Sequence, residues 1–130
     1  MRYLIDTDWS IDYLRDSPAI AEQVDKLRSE GIGLSVVSLA ELYEGIFLSR
    51  DPARSEEGLR QFLSRIELLA LDVETCRIFG QERGRLRGLG NLIGDMDILI
   101  GATALRHNLI LLTNNHRHFE RIQGLSISSV

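Results

Sequence analysis

The sequence is short of cysteine, lysine and long apolar runs, and each shortage excludes something. A single cysteine among 130 residues, Cys76, rules out an internal disulfide, and a chain of this length can fold on apolar burial alone. No apolar run approaches the ~20 residues that a membrane-spanning helix needs. The most apolar stretch, ILIGATAL from Ile98, is less than half as long. The N-terminal MRYLI meets Asp6 too early for the apolar core of a secretory signal, so the expected address is the cytoplasm, with no membrane partner. Only Lys26 among the fifteen cations is a lysine, and nineteen acids give a net charge of −4. The bulk basic footprint of a nucleic-acid binder is therefore missing. The remaining cations are arginines, whose planar fork suits phosphate. Arg77, Arg83, Arg85 and Arg87 crowd one stretch, where a solvated helix face accounts for them as readily as an RNA contact does.

What is present is an alternation of strand-length apolar runs with segments of helical period. MRYLI predicts a strand, followed by a helix through Trp9, Ile11, Tyr13 and Leu14 that stops before Pro18. A second helix covers about 19–29 and ends at Gly31. GLSVV predicts the next strand, and a helix from Ser38 carries Leu39, Leu42, Tyr43, Ile46 and Phe47 on one stripe. Residues 53–66 are amphipathic, ELLAL predicts a third strand, and 73–86 a further helix. A connection containing Gly84, Gly88, Gly90 and Gly94 leads to a helix from Asp97 to about His107. LILL is a fourth strand and SIS a weak fifth. Strands without polar alternation, separated by helices, indicate a parallel sheet covered on both faces. The expectation is one α/β domain over residues 1–130, three layers thick, without repeat or linker.

Ligand sites in such folds lie beyond the carboxyl ends of the strands. Asp6 ends the first strand, with Thr7 and Asp8 beside it. Glu41 lies one turn into the helix after the second strand. Asp95 and Asp97 open the helix before the fourth, and Thr113, Asn114 and Asn115 end the fourth. Carboxylates gathered at one sheet edge repel unless something positive sits among them. A hard divalent cation with oxygen ligands is the simplest answer, Mg²⁺ with Mn²⁺ as an alternative. Each residue also has a purely structural explanation. Ser38-x-x-Glu41 matches a helix capping box, and Asp97 or Asp8 would serve as an N-cap. Asp6 resists such an explanation best, because an unpaired carboxylate ending an apolar strand is costly.

Other chemistries find little support. His107, His116 and His118 lack a zinc-like spacing and fit solvated loops. Cys76 has no base partner and fits a small core position. Ser38 lacks the G-x-S-x-G elbow. No G-x-G-x-x-G follows a strand, so dinucleotide binding has little support. Asp6-Thr7-Asp8-Trp9-Ser10 nearly fits the aspartyl-nucleophile pattern of haloacid-dehalogenase-like phosphatases, with Gly94-Asp95 as an acidic motif. That chemistry wants a lysine between the two motifs near the phosphate, and Lys26 comes too early.

Four strings, YLIDTD, SVVSLAELYEGI, IGDMDILIGATAL and LLTNNHRHFERIQGL, stand in an order and spacing that resembles PIN-domain ribonucleases of the VapC toxin type. The resemblance covers nearly the whole chain. It implies a parallel five-stranded sheet flanked by helices, acidic residues binding Mg²⁺ for RNA cleavage, an antitoxin partner and a homodimer. Position by position, it implies Asp6, Glu41 and Asp97 as the acids. In the reading built on it, Thr113 and Asn115 place phosphate or solvent, and Asp95 is a secondary group that reaches the metal through water or supplies the charge missing at Asn115. The chain departs from many relatives at Asn115, where a fourth acid is common, and at Asp8, where asparagine is common. Metal stoichiometry is left open by that exchange. A binding module of the same fold without activity would have eroded acids, and these acids are present.

Overall fold

The computed structural model describes residues 1–130. Five short strands form a single parallel sheet: β1 (Tyr3–Ile5), β2 (Ile32–Ser35), β3 (Glu67–Leu69), β4 (Ile110–Leu112) and β5 (Ile127–Ser128). Parallel neighbours cannot be joined by a tight turn, so each connection carries a crossover. Those crossovers hold α1 (Thr7–Leu14), α2 (Pro18–Leu27), α3 (Val36–Phe47), α4 (Pro52–Leu63), α5 (Val73–Gly88), α6 (Asp95–Arg106) and the single turn α7 (His116–Phe119). Both prolines sit at the first helical position, of α2 and α4, where a missing amide hydrogen costs nothing.

Strand side chains alternate between faces, and this sorts the core into two clusters. Tyr3 and Ile5 join Trp9, Ile20, Val24, Leu42, Ile46, Leu59 and Phe62 under α1–α4. Leu4 and Leu111 point the other way, to Leu86, Ile98, Ile100, Ala104 and Phe119 under α5–α7. Leu4, Ile5, Leu34, Leu111 and Leu112 are fully buried, and each such side chain contributes roughly 1.5–3 kcal/mol by leaving water. The three-layer α/β architecture expected from the sequence is the one observed.

The sheet order is β3-β2-β1-β4-β5. The chain moves from β1 to β2 and β3 on one side, then crosses back to place β4 on the other side of β1. The carboxyl ends of β1 and β4 therefore flank the topological switch point, the crevice where α/β sheets bind ligands.

Several sequence expectations are corrected. The second strand stops at Ser35, and Ser35 Oγ caps α3 by accepting from the Val37 amide at 3.1 Å. GLSVV is thus half strand and half helix, because a buried apolar run carries no marker of where period two becomes period 3.6. Gly84 and Gly88 lie inside α5, so only Gly90 and Gly94 belong to the connection. α6 begins at Asp95, two residues before the expected start. Cys76 is exposed on α5, whose inward face is Thr75, Glu82 and Leu86. The turn α7 has no counterpart in the sequence reading. No helix is long and apolar enough to cross a membrane.

Candidate active site

Asp6 directly follows β1 and serves as the N-cap of α1, its Oδ1 accepting from the Thr7 amide at 2.7 Å. Asp8 does not cap that helix; its Oδ1 accepts from the next residue's amide, Trp9 N, at 2.7 Å. The backbone amide of Asp6 extends the β1–β4 ladder to the Leu112 carbonyl at 3.0 Å, so the residue is held as firmly as the sheet. Its side chain is buried, and Thr113, the residue after β4, donates its hydroxyl to Asp6 Oδ2 at 2.7 Å. No cation pairs with Asp6, Asp8 or Glu41. Burial above all, then the neighbouring Asp8 carboxylate, pushes the Asp6 pKa up from 3.8 to about 8, against the Thr113 and Thr7 hydrogen bonds that oppose the rise.

Glu41 approaches from α3. Its Oε1 accepts from the Thr7 hydroxyl at 2.6 Å, and Ser38 Oγ lies 3.0 Å from the same hydroxyl. The capping-box reading of Ser38 and Glu41 is overturned, since Ser38 lies inside α3 rather than at its start. α6 brings the third acid: Asp95 and Asp97 share its first turn, where negative charge is favoured by the helix dipole, and the N-cap is Gly94. The two diverge from there. Asp95 is exposed and pairs with Arg83 of α5 at 2.8 Å. Asp97 is half-buried and its Oδ2 lies 2.8 Å from His118 Nδ1 of α7.

The β4–α7 loop joins the two groups. Asn115 donates its amide to Thr113 Oγ1 at 3.0 Å, and its side-chain nitrogen lies 3.1 Å from His118 Nδ1. A continuous polar chain thus runs Glu41, Thr7, Asp6, Thr113, Asn115, His118, Asp97, from α3 across the ends of β1 and β4 to α6. Asp95 stands beside this chain rather than in it.

Thr7 and His118 of that chain, and Ser38 beside it, lay outside the sequence expectation. Thr7 and Ser38 carry hydroxyls within three residues of a strand end, which is a weak signal. His118 lies three residues beyond Asn115, the spacing that puts two side chains on one face of a helical turn. It is not a solvated loop histidine. No local pattern of residues marks the single turn that carries it.

No three histidine, cysteine, aspartate or glutamate side chains converge on one point, so a closed cage of the structural-zinc kind is absent. The donors fit a different ion. One or two carboxylates with waters and substrate oxygens completing the shell is the pattern of Mg²⁺. Asp6 and Asp8, side by side without a counter-charge, are such donors. The phosphatase alternative needs a lysine here, and the only one, Lys26, is exposed on α2.

The PIN domain family matches residues 3–125. The chain is 33% identical over 125 residues to the "tRNA(fMet)-specific endonuclease VapC" of Shigella flexneri, covering 96% of this chain and 95% of that protein. It is 33% identical over 125 residues to "Ribonuclease VapC" of Haemophilus influenzae, with the same coverage. Among solved structures, the DNA-bound VapBC of Salmonella typhimurium superposes with a TM-score of 0.93 at 32% identity, covering 99% of this chain and 98% of that one. VapBC2 of Rickettsia felis, bound to a promoter fragment, gives 0.94 at 28%, covering 100% and 99%. The chain belongs to the PIN domain family, among its VapC members.

Proposed function

We propose that this protein is a divalent-metal-dependent endoribonuclease that hydrolyses RNA phosphodiester bonds as the toxin of a toxin–antitoxin pair. The observation that supports this most directly is the polar chain from Glu41 to Asp97 at the switch point, with uncompensated carboxylates at Asp6 and Asp8. Asp6 and Asp97 are the principal metal ligands in this reading, Glu41 orients the attacking water or binds metal through one, and Asp95 contributes through water. Bound Mg²⁺ or Mn²⁺ supplies a water of lowered pKa and positive charge against the phosphate oxygens. Thr113 fixes the orientation of Asp6, and Thr7 does the same for Glu41. Asn115, facing solvent in part, places the phosphate or a water beside them.

The relatives named as VapC are ribonucleases, and the solved neighbours are VapBC complexes. By that likeness this chain has an antitoxin partner and acts on RNA, with transfer RNA the first class to test; a homodimer is what the family resemblance alone leads one to expect. The test has two arms. Purified protein incubated with transfer RNA and Mg²⁺ or Mn²⁺ should cut it, and EDTA should stop the reaction. Expression alone should arrest bacterial growth, and co-expression of the antitoxin encoded by the adjacent gene should restore it. Undiminished cleavage in EDTA removes the metal mechanism; harmless expression of folded protein removes the toxin role.

A further inference from the structure

We infer that His118 is a nitrogen ligand of the divalent ion, acting with Asp97 and Asn115, and that it turns this site toward first-row transition ions and away from Mg²⁺. The inference rests on the ribonuclease reading above and specifies its metal.

The argument begins with one ring atom and two neighbours. His118 Nδ1 lies 2.8 Å from Asp97 Oδ2 and 3.1 Å from the Asn115 side-chain nitrogen. A ring nitrogen carries either a proton or a lone pair, not both. With a proton, Nδ1 serves Asp97 but meets the Asn115 NH₂ donor to donor. With a lone pair it accepts from Asn115 but opposes the Asp97 carboxylate. No protonation state satisfies both contacts as drawn. Rotating the asparagine amide by half a turn exchanges its O and N at almost no cost, since the two ends are nearly isosteric. Asp97 Oδ2 and Asn115 Oδ1 then both face His118 Nδ1. A proton on Nδ1 joins the three atoms in a shared hydrogen bond, and with the ring proton on Nε2 instead a divalent ion joins the same three atoms as ligands.

The spacing agrees. Adjacent corners of an octahedron with bonds of about 2.1 Å lie roughly 3.0 Å apart, which the 2.8 and 3.1 Å separations bracket. The three donors come from two elements that meet only in the fold, α6 and the β4–α7 turn. Their side chains are open enough for an ion to arrive with its waters, Asp97 being 24% and His118 47% exposed. The Asn115 side chain is neutral, and a neutral imidazole beside it adds a donor without adding charge. Mg²⁺ takes oxygen ligands and holds its waters tightly. First-row ions accept imidazole, with affinity rising from Mn²⁺ to Co²⁺. A nitrogen in the shell therefore shifts the balance toward Mn²⁺ and Co²⁺.

The test reads binding and spectroscopy rather than cleavage. Full-length protein, freed of metal, is titrated with Mn²⁺, Co²⁺ and Mg²⁺ by calorimetry, and the Mn²⁺-loaded form is examined by pulsed EPR for ¹⁴N modulation from imidazole. Wild type should show that modulation and bind Mn²⁺ more tightly than Mg²⁺. His118→Gln should lose the modulation and weaken Mn²⁺ and Co²⁺ roughly tenfold to a hundredfold, with Mg²⁺ little changed. His118→Glu should lose it too, while tightening Mg²⁺. His118 is exposed on a short turn, so both variants should fold, and the wild-type spectrum decides the question even if one does not. Absence of ¹⁴N modulation in a wild type that binds Mn²⁺ overturns the inference and leaves the ribonuclease reading standing. Equal weakening of Mg²⁺ and Mn²⁺ by His118→Gln, without a nitrogen signal, also overturns it and marks a hydrogen-bonding role through Asp97. Failure of wild type to bind any of the three ions overturns both readings.

Discussion

Thr113 and Asp6 are 107 positions apart in sequence, and the hydroxyl of one donates to the carboxylate of the other at 2.7 Å in a fully enclosed contact. The same hydroxyl oxygen accepts from the Asn115 amide at 3.0 Å. One side chain at the end of β4 therefore orients the acid at the end of β1 and shapes the loop that follows. Thr113→Val keeps the volume but leaves a buried carboxyl oxygen and an amide without partners, which costs about 1–3 kcal/mol. Urea denaturation should show that loss, and RNA cleavage should fall with it. Thr113→Ser should recover both. Wild-type stability in the valine variant would show that the hydroxyl is dispensable.

Asp6→Asn preserves shape and removes the charge that a cation would meet. Cleavage should drop by at least ~100-fold, beyond the 10–100-fold typical of losing a contact to a metal ligand. The fold should survive, because a neutral amide suits this buried position at least as well as a carboxylate whose pKa is pushed to about 8. Melting curves with and without Mn²⁺ provide the check: metal should raise the wild-type midpoint and leave the variant's where it was. An equal rise in both would take Asp6 out of the ligand set.

Asp97 and Asp95 make opposite predictions from the same helical turn. Asp97 is held between α6, whose next residues Ile98 and Ile100 are fully buried, and His118. Asp97→Asn should abolish cleavage. Asp95 is exposed and faces Arg83, an ion pair of the kind worth ~1 kcal/mol or less. Asp95→Asn should retain most activity. Single-turnover rates on one RNA substrate decide between them, and an active Asp97→Asn with a dead Asp95→Asn would reverse the assignment.

Away from the site, acid should weaken the fold through Glu82 and Asp72. Glu82 accepts from Arg85 at 2.8 and 3.1 Å and from the Gln123 amide at 3.1 Å, tying α5 to the segment after α7. The Arg85 guanidinium holds the Glu82 carboxyl below its ordinary 4.5. Hydrogen bonds from Thr75 at the start of α5, aided by Arg106, hold Asp72 at about 2 instead of 3.8. Both folded values are depressed, so their stabilisation is complete above the unfolded values and drains away as pH falls from 4.5 toward 2. Glu82→Gln should cost about 1–3 kcal/mol at pH 7 and flatten this acid limb. Denaturant midpoints measured at pH 7 and pH 3 would expose an error if wild type and variant lost stability in parallel.

Much of this was legible without the structure because the relevant signals are local. Apolar runs of strand length between helical stripes announce a parallel sheet, and a polar residue closing such a run announces the edge where ligands bind. Asp6 after YLI and Thr113 after LILL follow from that rule; Asp97 opens a helix instead, and its place before ILIGATAL together with the family resemblance singled it out. Boundaries were less legible. GLSVV has one polar residue, Ser35, and only the fold shows that it caps α3 rather than continuing β2. Cys76 was misplaced for a related reason: a single position on a helix with weak apolar periodicity does not reveal which way it points.

The sequence by itself determined which segments are strands and which are helices, to within about two residues at their ends, since side-chain period and turn chemistry act over a few positions. The tertiary structure alone decided which of those residues meet. By placing β4 against β1 it joined Thr113 to Asp6, and by packing α3 and α6 over the same edge it brought Glu41 to Thr7 and Asp97 to His118. Those pairs span 107, 34 and 21 positions. No periodicity of 2 or 3.6 extends that far; only the order of strands in the sheet, chosen by how two apolar faces bury at once, sets the contacts.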